Sequence, residues 1–320
     1  MKLLVTGGAG YIGGVVVHQL AAAGHTVVVV DDLSSGHADV LPEGVEFHKL
    51  DVRDVASVLT PEAGFDGVLH FAAKIEVGES VLYPERFWAN NIGGTMALLD
   101  AVRAARVPRL IFSSTGSLYV ASDKPSTEET PVLPMNPYAL TKYTVDKMLE
   151  GEARAHGLGA VSLRYFNAAG ASGSLGERHD PESHLIPIVL QVAAGKRENL
   201  ALYGDDYDTP DGTCVRDYIH VEDLARAHML ALETIKPGRH EVYNLGNGNG
   251  FSNLEVIEAV RAVTGHPVPV VLQPRRPGDV VIGIASSEKA RRELGWEPQR
   301  PDLHDIIRSA WEFYSARLSG

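Results

Sequence analysis

The chain has 320 residues, 44% apolar and 22% charged, enough apolar side chain for a sizeable core and too much for long disorder. Lys and Arg number 29 against 41 Asp and Glu, a formal charge of −12, which argues against sequence-independent nucleic-acid binding but leaves room for a local Arg cluster holding a small anion. No run approaches the roughly 20 apolar residues of a membrane span, and the run before the first glycines is short for a secretory signal.

Strands are predicted over 2–6, 26–31, 45–51, 67–71, 109–113 and 160–165, each a β-branched or apolar run followed by turn residues. Helices are predicted between them over 12–23, 84–105 and 137–156. The second has an Asn-Asn-Ile-Gly-Gly interruption near its middle. The third has Pro137 at its first position and Gly157 just past its end. Apolar strands alternating with helices predict an α/β fold, a doubly wound parallel sheet covered on both faces.

After Tyr165 the rhythm breaks. A loop is expected over 167–181, a helix over 185–195, and a loop or hairpin over 200–216. Helix 221–234, strand 241–245, helix 253–264, strand 268–272, loop 274–279 and helix 301–318 complete the chain. This region reads as a smaller α/β lobe packed on the carboxyl edge of the sheet, where open α/β sheets bind ligands. The expected division is 1–166 with about 216–247 for the nucleotide-binding domain, and 167–215 with 248–320 for the substrate lobe. Cys214 is the single cysteine, so no intrachain disulfide or Cys-rich zinc site is expected, no metal is assigned, and a reducing cytoplasm fits.

Gly8, Gly10 and Gly13 satisfy G-x-G-x-x-G between a strand and a helix. Gly7, Gly10 and Gly13 satisfy G-x-x-G-x-x-G. Glycines let backbone approach a pyrophosphate, and the helix start at Tyr11, Ile12 and Gly13 offers N–H groups to it. Asp31, at the end of the second strand, has the spacing of the acid that binds an adenosine ribose, with Asp32 and Ser34 in the same turn. Its charge would repel a 2′-phosphate, and no Arg or Lys follows nearby, so NAD is expected rather than NADP. Asp51 and Val52 are candidates to cap the adenine. Phe71, Ala72 and Ala73 supply small residues where backbone passes the cofactor.

Tyr138 and Lys142 stand four apart near a helix start and share a face. A phenol needs help to act as a base at neutral pH, and a neighbouring ammonium lowers its pKa. The strand ending Ser113-Ser114-Thr115 offers a hydroxyl partner. Thr115 is the candidate relay, with Ser114 and Ser117 as alternatives, because one residue of register decides the facing side.

These residues resemble the extended short-chain dehydrogenase/reductase superfamily. Val77-Gly78-Glu79-Ser80-Val81, Asn90-Asn91, Arg164-Tyr165-Phe166-Asn167 and the block from Asp211 to Val221 resemble the UDP-glucose (UDP-galactose) 4-epimerase family, essentially end to end. The resemblance implies a Rossmann-type fold, an NAD-dependent epimerase of a UDP-hexose, and a homodimer pairing helices 84–105 and 137–156. It implies Tyr138 as base, Thr115 as relay and Lys142 as pKa modulator, with Asn90, Ser113 and Tyr165 also at the cofactor. On the substrate side it implies Lys74, Asn167, His184, Leu185, Leu202, Tyr203, Arg216, Tyr218, Arg276 and Asp279, with Gly283 beside the sugar. Three departures stand out: Tyr119-Val120 in place of Tyr-Gly, Gly116-Ser117 after Thr115, and a lysine shifted by one position to Lys74. The rivals are a 4-epimerase of a UDP-uronic acid or UDP-pentose, a nucleotide-sugar 4,6-dehydratase and, from another class, a non-catalytic NAD sensor. The dehydratase needs an acid and a base beside the catalytic Thr, which Gly116 and Ser117 do not supply.

Overall fold

The computed structural model describes residues 1–122, 124–276 and 279–318. Residues 277 and 278 of the predicted 274–279 loop lie outside the described residues. Strand β1 (Lys2–Thr6) leads into helix α1 (Tyr11–Ala22), then β2 (Thr26–Asp31), β3 (Glu46–Lys49) and β4 (Gly67–His70). A helical stretch follows: α2 (Val77–Leu82), α3 (Pro84–Phe87) and α4 (Gly94–Ala105). Next come β5 (Arg109–Thr115), α5 (Pro137–His156) and β6 (Gly159–Tyr165). The second half contains β7 (Asn167–Ala169), α6 (Leu185–Ala193), β8 (Leu200–Tyr203), β9 (Val215–His220), α7 (Val221–Thr234), β10 (His240–Leu245) and β11 (Gly250–Ser252). It ends with α8 (Asn253–Thr264), β12 (Val270–Gln273), β13 (Ile282–Gly283), α9 (Glu288–Leu294) and α10 (Leu303–Leu318).

Seven strands form one parallel sheet in the order β10-β6-β5-β4-β1-β2-β3. The chain winds outward from β1 to β3 and then returns to β4 on the other side. Strand order therefore reverses between β1 and β4, and a crevice opens at their carboxyl ends. Both faces are covered, which is why the strands read as apolar runs rather than alternations. Leu3, Val5, Val27 and Val29 pack with Val16 and Leu20 of α1 and Leu224 and Ala231 of α7. Leu4, Val28 and Val30 pack on the other face with Leu98 of α4 and Val145 and Leu149 of α5.

A third core joins α6, α8 and α10 through Val189, Ile257, Val260 and Ile306. Strand β9 centres a small sheet, antiparallel to β11 and parallel to β13 and β7, and β8 pairs with β12. Thus β9 belongs to the small sheet, whereas Ala290, Leu294 and Trp296 from the C-terminal part join the core of the large one. Strands β7, β11 and β13 are two or three residues long, too short for a side-chain period to show in sequence. Residues 200–203, expected as loop or hairpin, are strand because a partner nearly 70 residues later in the chain, β12, completes their hydrogen bonding.

The helix over 84–105 is helical throughout, but its interruption is a π turn, Trp88–Gly93. Such turns often mark functional sites. Helix α5 has the predicted ends: the Asn136 side chain accepts the Ala139 N–H at 2.8 Å, Pro137 follows, and Gly157 takes φ +76°. Leu98 is fully buried between α4 and the sheet. Leu98→Ala is expected to cost about 2–5 kcal/mol in urea unfolding. A loss below about 1 kcal/mol would mean that this face is not packed as described.

Candidate active site

The turn between β1 and α1 is shaped by backbone contact. Gly7 has φ +74°, and a Cβ there would lie 2.5 Å from the Ala72 nitrogen. A Cβ on Gly13 would lie 2.2 Å from the Gly7 carbonyl oxygen. Gly10 is the N-cap of α1 without a side-chain cap, and the first turn holds no acid. The first N–H to bond back along the helix is that of Gly14, to the Gly10 carbonyl at 2.9 Å. The N–H groups of Tyr11, Ile12 and Gly13 are therefore available to an anion. The Tyr11 hydroxyl donates to the Gly170 carbonyl at 2.6 Å and ties the segment after β7 to this turn.

Asp31 accepts the Ala9 N–H at 3.0 Å and the Leu33 N–H at 2.9 Å. Burial raises its pKa, and these two bonds pull it back. Each oxygen keeps acceptor capacity for a ribose hydroxyl, and the carboxylate disfavours a 2′-phosphate. Asp32 accepts the Ser34 N–H at 2.8 Å. Asp51 caps the short 3₁₀ turn Val52–Ser57 and pairs with Arg53 at 2.6 Å, with Val52 buried beside it. The N–H groups of Phe71 and Ala72 both donate to the Thr6 carbonyl, at 2.8 and 3.1 Å, which draws the chain toward Ala73 against Gly7. The glycine turn, its open helix start and Asp31 fit a dinucleotide with a free 2′-hydroxyl, namely NAD.

Helix α5 delivers Tyr138 and Lys142 to the end of β5. Burial pushes the Tyr138 hydroxyl up to about 12. A hydrogen bond with the Thr115 hydroxyl pulls it down, and the charge on Glu76 adds to the rise. Burial brings Lys142 down to about 7, against the opposing charge of Asp146. The ammonium donates to the Ser113 carbonyl at 2.7 Å and lies 5.9 Å from the centre of the Tyr138 ring. Ser113 and Thr115 share a side of β5, and Ser114 points to the other. The Ser114 hydroxyl is buried without a partner, and Ser117 is exposed with its N–H on Thr115 at 3.2 Å. Ser113 also meets the buried Tyr165 hydroxyl.

Sequence reasoning missed two groups here. His70 is buried between Thr6 at 2.7 Å and Thr95 at 2.9 Å, and burial followed by the charge of Lys142 pushes it down to about 3. Thr95 donates to the Asn91 carbonyl, so the His70 Nε2–H donates to Thr95. Asn91 donates to the Lys74 carbonyl and to Thr141, both at 3.0 Å, and accepts the Lys74 N–H at 2.8 Å. Asn90 donates to the Asn91 side-chain oxygen at 3.0 Å. Asn91 thus joins the π turn, the Lys74 segment and α5. The break in the 84–105 pattern was the available signal.

On the other side of the crevice, Asn167 donates to the Asp217 carbonyl at 2.9 Å. The Arg276 guanidinium lies 4.8 Å from the Tyr203 ring centre and 3.2 Å from Asp279. Arg216 reaches the same carboxylate at 4.0 Å. Tyr203, Arg216, Arg276 and Asp279 therefore gather at one place. Gly283 lies in register with Arg216, and a Cβ there would meet only the Arg216 Cδ, at 3.8 Å. Leu202 and Tyr218 are packed within the third core, and Leu185 lies against it. His184 belongs to a cluster with Glu177, His179 and Glu182. It contacts the two carboxylates at 2.7 and 2.9 Å, and His179 contacts Glu177 at 2.9 Å. Burial would lower His184, but both carboxylates outweigh it and raise it to about 10. The rings and carboxylates of this cluster satisfy one another.

The sequence matches the model of the NAD dependent epimerase/dehydratase family over residues 3–246. It is 54% identical to a UDP-glucose 4-epimerase of Streptomyces lividans, covering 100% of this chain and 98% of that one. The structure superposes on UDP-glucose 4-epimerase from Brucella ovis in complex with NAD with a TM-score of 0.93, at 45% identity and 98% coverage of both chains. It superposes on the Bifidobacterium longum UDP-glucose 4-epimerase in complex with NAD+ and UDP with a TM-score of 0.93, at 38% identity and 100% coverage of both. The chain belongs to the NAD dependent epimerase/dehydratase family, and within it resembles the UDP-glucose 4-epimerases from end to end.

Proposed function

We propose that the chain interconverts UDP-galactose and UDP-glucose by inverting C4 through a 4-keto sugar, with Tyr138 as the base. The observation that carries this reading is the Tyr138 hydroxyl hydrogen-bonded to Thr115 at the end of β5, with the Lys142 ammonium 5.9 Å from the centre of its ring. NAD, when bound, would supply the hydride acceptor and donor for C4. Tyr138 takes the proton of the 4-hydroxyl directly or through Thr115, and gives a proton back to the C4 oxygen when the keto sugar, turned over, is reduced on its other face. Lys142 favours the phenolate by its charge. Arg216 and Arg276 neutralise the diphosphate of the substrate, Asp279 accepts from the uridine ribose, and Tyr203 packs on the uracil. Asn167, His184 and Lys74 are assigned to the diphosphate and sugar on the resemblance alone. The UDP end stays fixed while the oxidised sugar turns over.

In this reading residues 1–166 with about 216–247 hold NAD and 167–215 with 248–320 hold the UDP-sugar, except that β9 (Val215–His220) belongs to the small sheet and brings Arg216 to the substrate side. Two copies pair through helices 84–105 and 137–156, whose Trp88, Met96 and Leu140 are exposed apolar side chains. The protein works in the cytoplasm. No helix among the described residues is long and apolar enough to cross a membrane.

Tyr138→Phe is expected to keep the fold and bound NAD and to lose about 100-fold or more in kcat. Turnover within about threefold of wild type would refute the assignment. Thr115→Ala should cost less. A larger loss from Ser117→Ala would move the relay to Ser117.

NAD is expected to copurify, because the hydride must return to the sugar that gave it. Denaturing the purified protein and assaying the supernatant should yield NAD in near-stoichiometric amount. Recovery of NADP, or a need for stoichiometric added NADH, would contradict this.

Gly283 predicts the sugar scope. A Cβ there would meet no described atom closer than the Arg216 Cδ at 3.8 Å, and the bare glycine leaves room for a 2-N-acetyl group. The wild type is expected to interconvert UDP-GalNAc and UDP-GlcNAc as well, and Gly283→Tyr to lose that activity selectively, because a packed ring does not yield. Comparing kcat/KM for UDP-GalNAc and UDP-galactose in both proteins tests it. The argument fails if wild type turns over no N-acetyl sugar or the tyrosine leaves the ratio unchanged.

A further inference from the structure

One face of α5 carries Tyr138, Lys142 and Asp146 at successive four-residue steps. Lys142 and Asp146 are both buried. Asp146 makes no ion pair with Lys142 among the described residues. Instead its Oδ2 accepts from Arg164 Nε at 3.0 Å and Nη2 at 2.7 Å, and its Oδ1 is buried without a partner. Arg164 stands on β6, one position before Tyr165. Its remaining donor, Nη1, reaches the Tyr119 hydroxyl at 2.9 Å, and that hydroxyl donates to Asn244 of β10 at 2.6 Å. A chain of buried polar contacts thus runs from the helix to β6, to the turn after β5 and to β10.

We infer that Asp146, held by Arg164, is a positioning residue for the reaction: it fixes α5 against β6 and sustains the positive charge of Lys142 inside the protein. This rests on the reading of Tyr138 as the base. The physical case has two parts. Helix α5 presents Tyr138 and Lys142 correctly only in one register, and a twofold hydrogen bond from a strand arginine to a helix carboxylate is directional enough to fix it. Lys142 has also lost its hydration, and Ser113 offers it only a neutral carbonyl. The Asp146 carboxylate one turn away supplies the opposing charge. The other ionisable groups around this centre are His70 of β4, Glu76 before α2, Tyr138 itself, Arg164 and Tyr165 of β6, Tyr119, and His240 of β10. The carboxylates acting here are Glu76 on Tyr138, Glu128 on Tyr119, Glu150 and Glu241 on His240, and Asp146 on Lys142. Glu76 acts on Tyr138 and works against its ionisation, which leaves Asp146 as the anion on the lysine side.

Asp146 and Arg164 carry opposite charges, so removing them one at a time predicts opposite shifts. Losing the carboxylate disfavours the Lys142 ammonium, and the phenolate that depends on it forms only at higher pH. Losing the guanidinium leaves the carboxylate unopposed and does the reverse. The holoenzyme as purified is titrated by its near-ultraviolet tyrosinate absorbance, and kcat and KM for UDP-galactose are measured across the same pH range.

Asp146→Asn should move the tyrosinate step and the acid limb of kcat upward by about one pH unit, with kcat down about tenfold on the limb and KM nearly unchanged. Arg164→Gln should move both downward. Asp146→Glu should restore the wild-type positions. Shifts in the same direction for the two charge-removing variants, or an even fall in kcat with the limb in place, would overturn the inference and leave Asp146 a purely structural residue. If Asp146→Asn does not fold, Arg164→Gln and Arg164→Lys decide: the first should lower the step, the second should leave it, and a step unmoved in both overturns the inference. In Tyr138→Phe the tyrosinate step that Asp146→Asn moves should vanish. Its persistence there would overturn the assignment of Tyr138 and not that of Asp146.

Discussion

The structure depends on keeping a lysine charged out of water. Lys142 is almost wholly buried, and an ammonium in that position is costly unless its donors and its charge are met. The fold meets them with parts from separate elements: the Ser113 carbonyl from β5, the Phe112 ring at 4.8 Å, and the Asp146 carboxylate from the next turn of α5. Asn136, Pro137 and Gly157 fix where that helix begins and ends, and so fix which turn faces β5. Even so the charge is only marginally held, since burial brings Lys142 down to about 7.

The two sides of the crevice differ in the room they leave. On the cofactor side an added Cβ would collide with backbone: at Gly7 with Ala72, and at Gly13 with Gly7. Backbone cannot step aside as a flexible side chain can, so this side is rigid and specific. Across the crevice, beside Arg216, a Cβ at Gly283 would touch, among the described residues, only the Cδ of that arginine. Meanwhile Arg216, Arg276 and Asp279 gather where a diphosphate and ribose would be gripped. Tight hold at the two nucleotides and slack at the hexose are what a sugar needs if it is to be oxidised on one face and reduced on the other.

The first half was legible because its elements are long and locally signalled. The bounds of β1, β2 and α5 follow directly from apolar runs, a proline and a glycine. The cofactor turn and the Tyr138–Lys142 pair were legible for the same reason, since each lies within a few residues of sequence. What stayed hidden depends on partners far along the chain. Strand β8 exists because β12 pairs with it, and β13 is two residues beside β9. His70 reads as an ordinary strand residue until Thr95 arrives from α4. Asn91 was visible as half of the Asn90-Asn91 block and as a break in a helix, but not as a linking residue, because the π turn that aims it is a backbone property with no side-chain period. Asp146 was visible in spacing, four after Lys142, but its meaning required Arg164 from the next strand.

The choice of hydroxyl at the end of β5 shows how packing separates this chemistry from that of a related enzyme. A 4,6-dehydratase needs an acid and a base immediately after the catalytic threonine. In this chain a Cβ on Gly116 would lie 2.4 Å from the Phe166 ring, so a carboxylate there would have to displace an aromatic side chain anchored at the end of β6. Ser117 is exposed and turned back toward Thr115 through its own N–H. The space in which elimination chemistry would be housed is filled by Phe166. Neither residue 116 nor residue 117 offers a carboxylate, so the acid–base pair that elimination needs directly after the threonine is missing from this chain.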